Sequence, residues 1–232
     1  MYNLERYNLI ENKNKREIVL LKAFPCFWGK CVFCDYIDDN CKNSDEMNKV
    51  NFEILDKVTG KYNTLEVINS GSCFELPKET LVKIKEVIKK KNITKLFLES
   101  HWAYKNRLQE MRDFFEIPII FKIGVESFDN DFRNNFLKKN ATFSNYKEVK
   151  DLFQSVCIMV GIKGQTKEMI KKDMDIVLNN FEYATINIFT ENTTPIKRDN
   201  ELIKWFREEY KFLEDMDKIE VLYENTDFGV GD

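Results

Sequence analysis

Apolar positions along the chain switch between two periods. Short runs rich in β-branched and aromatic residues alternate with longer stretches whose apolar residues recur three and four apart. The first run, 17–24, reads as a strand. Ser44 then caps a helix with Met47, Val50, Ile54, Leu55 and Val58 on one face, stopped by Gly60. A strand at 64–70 leads to a helix that begins near Pro77 and carries Leu81, Ile84 and Ile88. The next strand is 93–100, followed by a helix over 101–115 and a strand over 117–126. Phe128, Phe132 and Phe136 recur every four residues and predict a helix, and Ser144 caps another with Val149, Leu152 and Phe153. A strand at 155–161 precedes a helix capped by Thr166, with Ile170, Met174, Val177, Leu178 and Phe181 inward. A strand at 185–190, a helix capped by Asp199 with Leu202, Trp205, Phe206 and Leu213, and a strand at 218–223 complete the pattern.

Strand, helix, strand throughout predicts parallel pairing with right-handed crossovers. Six or seven such units favour a full or partial barrel over an open sheet, and the expected α/β fold is a partial (β/α)6 TIM-type barrel. The expected organisation is a single domain over 1–232, with its core at about 16–194 and a helix, strand and tail over 195–232. Loops at the C-terminal ends of the strands are then the place for function. Only 8 Gly and 4 Pro interrupt 232 residues, consistent with long regular elements. The longest apolar runs, 117–121 and 156–162, are too short to span a bilayer. The first residues lack the charged-then-apolar order of a signal peptide, which points to the cytoplasm. A net charge of −3 offers no electrostatic case for nucleic acid or an anionic membrane.

Strand alternation adds a clue. Lys122, Gly124 and Glu126 share one face, Glu99 shares a face with Phe97, and Thr185 with Asn187. Such polar faces suit a lumen that holds a polar ligand, since buried charge is costly without a partner. Solvent-filled gaps between helices are the alternative.

The chain has 6 Cys and 1 His. Cys26, Cys31 and Cys34 fall within nine positions as C-x4-C-x2-C, directly after the first strand. Three thiolates on one short loop suit three irons of a cubane cluster and leave the fourth iron open. A structural zinc site wants a fourth closed ligand, which Cys41 or His101 can supply. Phe24, Phe27, Trp28 and Phe33 surround the triplet, as befits a shielded redox centre.

A three-cysteine loop after the first strand of a parallel barrel resembles the radical S-adenosylmethionine (SAM) superfamily, over about 18–194. The resemblance implies a 4Fe–4S cluster on Cys26, Cys31 and Cys34. It implies that Phe33 contacts the adenine and that Ser70, Gly71 and Ser72 hold the SAM amino group. It places Lys122 and Glu126 in the segment whose carboxylate contacts SAM, Gly161 and Ile162 in the turn that backs the adenine, and Asn187 in the adenine wall. Two departures stand out. The commoner spacing is C-x3-C-x2-C, and the turn at Ser70 lacks a second glycine and the usual glutamate. The implied chemistry is one-electron cleavage of SAM to methionine and a 5′-deoxyadenosyl radical, which abstracts hydrogen from a substrate. The electron comes from an external donor such as flavodoxin or ferredoxin.

The charge favours a free small molecule as substrate over tRNA. Candidate contacts are Glu99, Ser100, His101 and Trp102, then Glu191, Asn192 and Thr193, then Glu224 and Asn225. Carboxylates accept hydrogen bonds from an amino-oxo purine edge, and Trp102 can stack on a ring. The plainer alternatives are loop solvation for Glu191, helix core for Trp102 and a locally bonded helix start for His101. The short chain, the C-x4-C-x2-C loop and the segments at 69–75, 99–102 and 187–193 resemble a small group within the superfamily that includes the queuine lyases. These split queuine and release 7-aminomethyl-7-deazaguanine. Archaeosine-type tRNA-modifying relatives and a non-catalytic zinc or iron–sulfur scaffold are the alternatives. The lysine-rich stretch 83–91 reads as a solvated helix face, Cys157 as core and Cys41 as a free thiol. Cys73, beside the Ser70 turn, stays ambiguous. The tail 227–232 either covers the barrel mouth or is disordered.

Overall fold

The computed structural model describes residues 5–224, so Asn225 and the tail at 227–232 lie outside the described residues. The described chain divides into two compact units, one of 5–29 with 36–121, the other of 30–35 with 122–224. The strands are ordered β1 to β8 as they occur in the chain. That order, with helices between parallel strands, is the partial TIM-type barrel class expected from the alternating pattern.

In the first unit, β1 (Tyr7–Ile10) pairs antiparallel with β2 (Arg16–Leu21). Strand β2 pairs parallel with β3 (Thr64–Asn69), and β3 with β4 (Lys95–Glu99). Strands β2 and β3 are buried along their whole length, as parallel strands covered on both faces must be. Crossovers are α1 (Ser44–Leu55) and α2 (Lys78–Lys90). Helix α3 (Leu108–Phe115) follows a 3-10 turn at Trp102–Arg107, so the expected continuous helix over 101–115 is two pieces. Strand β5 (Ile119–Glu126) starts in this unit, where the Leu96 N–H donates to the Pro118 carbonyl.

In the second unit, β5 pairs parallel with β6 (Ser155–Val160), β6 with β7 (Tyr183–Ile188) and β7 with β8 (Ile219–Leu222). Helices α4 (Tyr146–Lys150), α5 (Lys167–Asn180) and α6 (Asn200–Glu209) connect them. Thr166 and Asp199 cap α5 and α6 with their side chains, as expected. The other two caps are one residue off. Asn43, not Ser44, accepts from Asp45 and Glu46, and Asn145, not Ser144, accepts from Lys147.

Two further elements differ from expectation. Strand β1 has no counterpart in the alternating pattern, because all four of its residues are only half-buried and show no inward face. The helix expected from Phe128, Phe132 and Phe136 is a single π turn at Asp131–Phe136, with Phe132 stacked on Phe136 at 5.0 Å and Phe128 packed on Phe143 and Phe181 instead. No helix among the described residues is long and apolar enough to cross a membrane.

Candidate active site

The cysteine loop leaves β2 under tight control. Buried Asn51 of α1 accepts the Lys22 N–H at 2.8 Å and donates to the Lys22 carbonyl at 2.9 Å. Its amide also reaches Thr80 of α2 at 3.1 Å. The Cys41 N–H closes the loop on the Ala23 carbonyl at 3.1 Å. Asn51 thus replaces the hydrogen bonds that the chain loses where it stops being a strand.

Cys26 belongs to the first unit, beside the turn that follows β3. In that turn the Ser70 hydroxyl donates to Asn40, and the Ser72 N–H donates to Glu75 at 2.6 Å. Asn69 donates its amide to the Ser72 carbonyl at 3.1 Å, while its Oδ1 is buried without a hydrogen-bond partner. A side chain on Gly71 has no room, since a Cβ there lies 2.1 Å from Glu75 Oε2 and 3.3 Å from Cys26 Cα.

After β4, Ser100 is buried, with its hydroxyl 3.4 Å from that of Ser72. His101 caps the following turn by accepting the Ala103 N–H on Nδ1 at 3.1 Å. Trp102 is buried, and the Lys105 ammonium lies 4.4 Å from its ring centroid. Glu99 is half-buried.

Cys31 and Cys34 belong to the second unit, in a turn closed by Cys34 N–H to Cys31 carbonyl. Both pack against a buried cluster of Phe33, Phe132, Leu137, Ile162 and Phe189. The loop after β7 grips this turn. The Asn192 amide donates to the Phe33 carbonyl at 2.8 Å, and the Thr193 N–H donates to Asp35 at 3.4 Å. From another segment, the Leu137 carbonyl accepts the Val32 N–H at 3.1 Å.

Strand β5 bulges between Gly124 and Glu126, and Glu126 adopts a φ of 63°. The bulge folds the Glu126 carboxylate back over Gly124, where Lys139 Nζ meets it at 2.6 Å. Lys139 Nζ also sits 5.7 Å from the Phe33 ring centroid. Burial pulls its ammonium down, but Glu126 and the two cysteines outweigh burial and hold it above the ordinary lysine range. Lys122 is buried on the same strand, and Asn187 is half-buried on β7.

Past β6, Gln165 organises the turn. Its Oε1 accepts the N–H groups of Gly161 and Ile162 at 2.9 and 3.1 Å, and its amide donates to the Met159 carbonyl at 2.7 Å. Gly161 has a φ of 92°.

Several expected residues therefore gather in each unit: Cys26 with Ser70, Gly71 and Ser72, and Cys31, Phe33 and Cys34 with Ile162. Glu191 and Glu224 are exposed, and the Glu191 carboxylate accepts from the Arg198 N–H at 3.1 Å and Lys197. Among the described residues, no three His, Cys, Asp or Glu side chains are grouped around the position of a single metal ion. Thiolates that each take a different iron of a cubane need not converge on one point. Glu75, Lys139 and Gln165 are the polar residues that sequence patterning missed. Glu75 and Gln165 stand inside segments that the pattern singled out, and Lys139 had no local signal.

A cysteine loop after the first parallel strand, a small-residue turn after the second, a carboxylate at the end of β5 and a glycine turn after β6 define a radical SAM protein. The chain belongs to the queuine lyase family within that class. The supporting relative is a solved queuine lyase from Clostridium spiroforme bound to SAM and queuine. It is 53% identical with a TM-score of 0.96, and the match covers 99% of this chain and 100% of that one. An uncharacterized protein of Methanocaldococcus jannaschii is 25% identical over 142 residues, covering 53% of this chain. The match spans 39% of the length of that curated relative. No protein-family model matches the chain.

Proposed function

We propose that the protein is a radical SAM lyase that cleaves free queuine and releases 7-aminomethyl-7-deazaguanine. The observation that carries this reading is the 53% identity, sustained over 99% of the chain, to a queuine lyase bound to SAM and queuine. The residues present suit the implied cofactors. All six cysteines are free of disulfides, so Cys26, Cys31 and Cys34 are available as cluster ligands. Asn69 presents a buried, unpartnered acceptor at the head of the Ser70–Ser72 turn, which suits an ammonium donor such as the SAM amino group. Phe33 packs in an apolar cluster with Phe132, Leu137, Ile162 and Phe189, which suits one face of an adenine.

With both groups bound, a 4Fe–4S cluster and SAM supply a 5′-deoxyadenosyl radical. The chain's own part is to bind and orient. Cys26, Cys31 and Cys34 ligate the cluster. Ser70, Gly71 and Ser72 hold the methionine end of SAM, with Lys122 and Glu126. Glu126 pairs with Lys139. Phe33, Gly161, Ile162 and Asn187 frame the adenine. Glu99, His101 and Trp102, with Glu191 and Glu224, face the substrate in this reading. Burial of Trp102 and the exposure of Glu191 make Glu99 and His101 the stronger members of that set. Residues 1–232 act as one catalytic domain in the cytoplasm, where reduced thiols persist, and flavodoxin or ferredoxin delivers the electron.

The test is anaerobic. Reconstituted protein with SAM and reductant is expected to form 5′-deoxyadenosine faster when free queuine is added, with no RNA present. A requirement for tRNA would overturn the lyase reading in favour of an RNA-modifying enzyme.

A further inference from the structure

The segment that carries Cys26 and the turn that follows β3 meet at a single side chain, Glu75. Its backbone carbonyl accepts the Phe24 N–H at 2.9 Å. Its Oε1 accepts the Phe27 N–H at 2.6 Å, and its Oε2 accepts the Ser72 N–H at 2.6 Å. The Tyr104 hydroxyl donates to Oε1 at 3.1 Å. One residue thus holds both ends of the four-residue stretch 24–27 that contains Cys26, and the same carboxylate holds the turn.

The packing around it is equally specific. Gly71 has no side chain on the side where Glu75 Oε2 and Cys26 Cα approach, so the turn packs closely against both. Glu75 is 7% exposed. Burying a carboxylate is costly, and here donors at both oxygens offset the cost. The tyrosine that completes the set is itself braced, stacked on Phe74 at 5.0 Å and edge-on to Phe27 at 6.0 Å. Phe27, by contrast, is 64% exposed, so its loop has little core of its own to fix it. What fixes it is the pair of bonds to Glu75.

We infer that Glu75 is a positioning residue of the reaction: it sets Cys26 in place as a cluster ligand and keeps the SAM turn in register with it. The inference rests on the radical SAM reading of the two segments. A carboxylate is required because both oxygens accept. Glutamine fills the same volume but turns an amide donor toward one of the two N–H groups.

Glu75→Gln therefore tests the assignment. Wild type and variant are reconstituted anaerobically and compared by iron loss to a chelator, and by the change in the electron paramagnetic resonance (EPR) spectrum of the reduced cluster on titrating SAM. Both are expected to start with about four irons per chain. The variant is expected to lose iron about tenfold faster and to need about tenfold more SAM for the same spectral change, the effect of one lost charge-assisted hydrogen bond. Glu75→Asp keeps the charge but not the reach, is expected to fall between the two, and carries the test if the glutamine variant does not fold. A wild-type cluster that the variants hold as long, with the same SAM response, overturns the clamp alone. A wild-type chain that takes up zinc, or no iron, overturns the cluster reading and the clamp with it.

Discussion

Asp173 lies on α5, only 1% exposed, and accepts the Phe128 N–H at 2.8 Å just beyond β5. Buried Arg133 donates to the carbonyls of Ser127, Ala141 and Phe143 at 2.9, 2.9 and 3.1 Å. Together they shape the segment that brings Lys139 back to Glu126. Burial pushes the Asp173 carboxyl from 3.8 up to about 7, against the pull of its hydrogen bonds from Ser127 and Phe128. A folded-state pKa above the unfolded one means that the native chain binds the extra proton. Its contribution to stability is therefore complete below about pH 4 and declines as pH rises to about 7. Each unit crossed in that window removes up to about 1.4 kcal/mol. Denaturant unfolding of the apo chain from pH 5 to 8 is expected to show this slope, and Asp173→Asn is expected to flatten it. An equal slope in both proteins would place the titration elsewhere.

At the scale of elements, the turn from β6 to α5 is held from two sides: Gln165 takes its N–H groups, and α6 packs on its glycine. The Gly161 carbonyl accepts the Asp199 N–H at 2.8 Å, and a Cβ at Gly161 lies 2.3 Å from Ile203 Cγ1. Gly161→Ala thus meets two penalties, a left-handed φ and a steric overlap with α6. A loss of about 2–4 kcal/mol is expected for it by denaturant unfolding. Ile203→Ala alone costs about 2–4 kcal/mol through its cavity. The double variant is expected to lose clearly less than the sum, because the overlap disappears while the strain stays. Strict additivity would mean that α6 does not pack on this turn. The alternation of strands and helices was legible because strands carry short apolar runs, such as 18–21 in β2 and 156–160 in β6. The caps Thr166 and Asp199 were legible outright, and the other two only to within a residue, since serine and asparagine cap alike and stand side by side at 43–44 and 144–145. Strand β1 was hidden by its half-exposed pairing, and the π turn by phenylalanines that serve two different clusters.

For the molecule as a whole, candidate ligands were legible where chemistry is local in sequence and illegible where it is not. Three cysteines within nine positions announce themselves. Lys139 and Glu126 stand 13 residues apart, and Glu75 and Phe27 stand 48 apart, so only folding brings them together. The six cysteines then divide three and three. Cys73 is buried, and desolvation pushes its thiol far above the thiolate range, with nearby Glu75 adding to the rise. Cys157 sits in the middle of β6 at 8% exposure. Cys41 is engaged with Asn43 and Glu46 at the start of α1. None of the three lies on the 26–34 loop. Alanine at Cys26, Cys31 or Cys34 is therefore expected to abolish the cluster, leaving no 5′-deoxyadenosine and less than about one iron per chain after reconstitution. Cys41→Ser, Cys73→Ala and Cys157→Ala are expected to retain about four irons, with the two core variants costing about 1 kcal/mol of stability. Iron and sulfide analysis reads both sets directly. Loss of the cluster in Cys41→Ser would identify a fourth protein ligand, close the iron that SAM must reach, and remove the chemical basis of the radical mechanism.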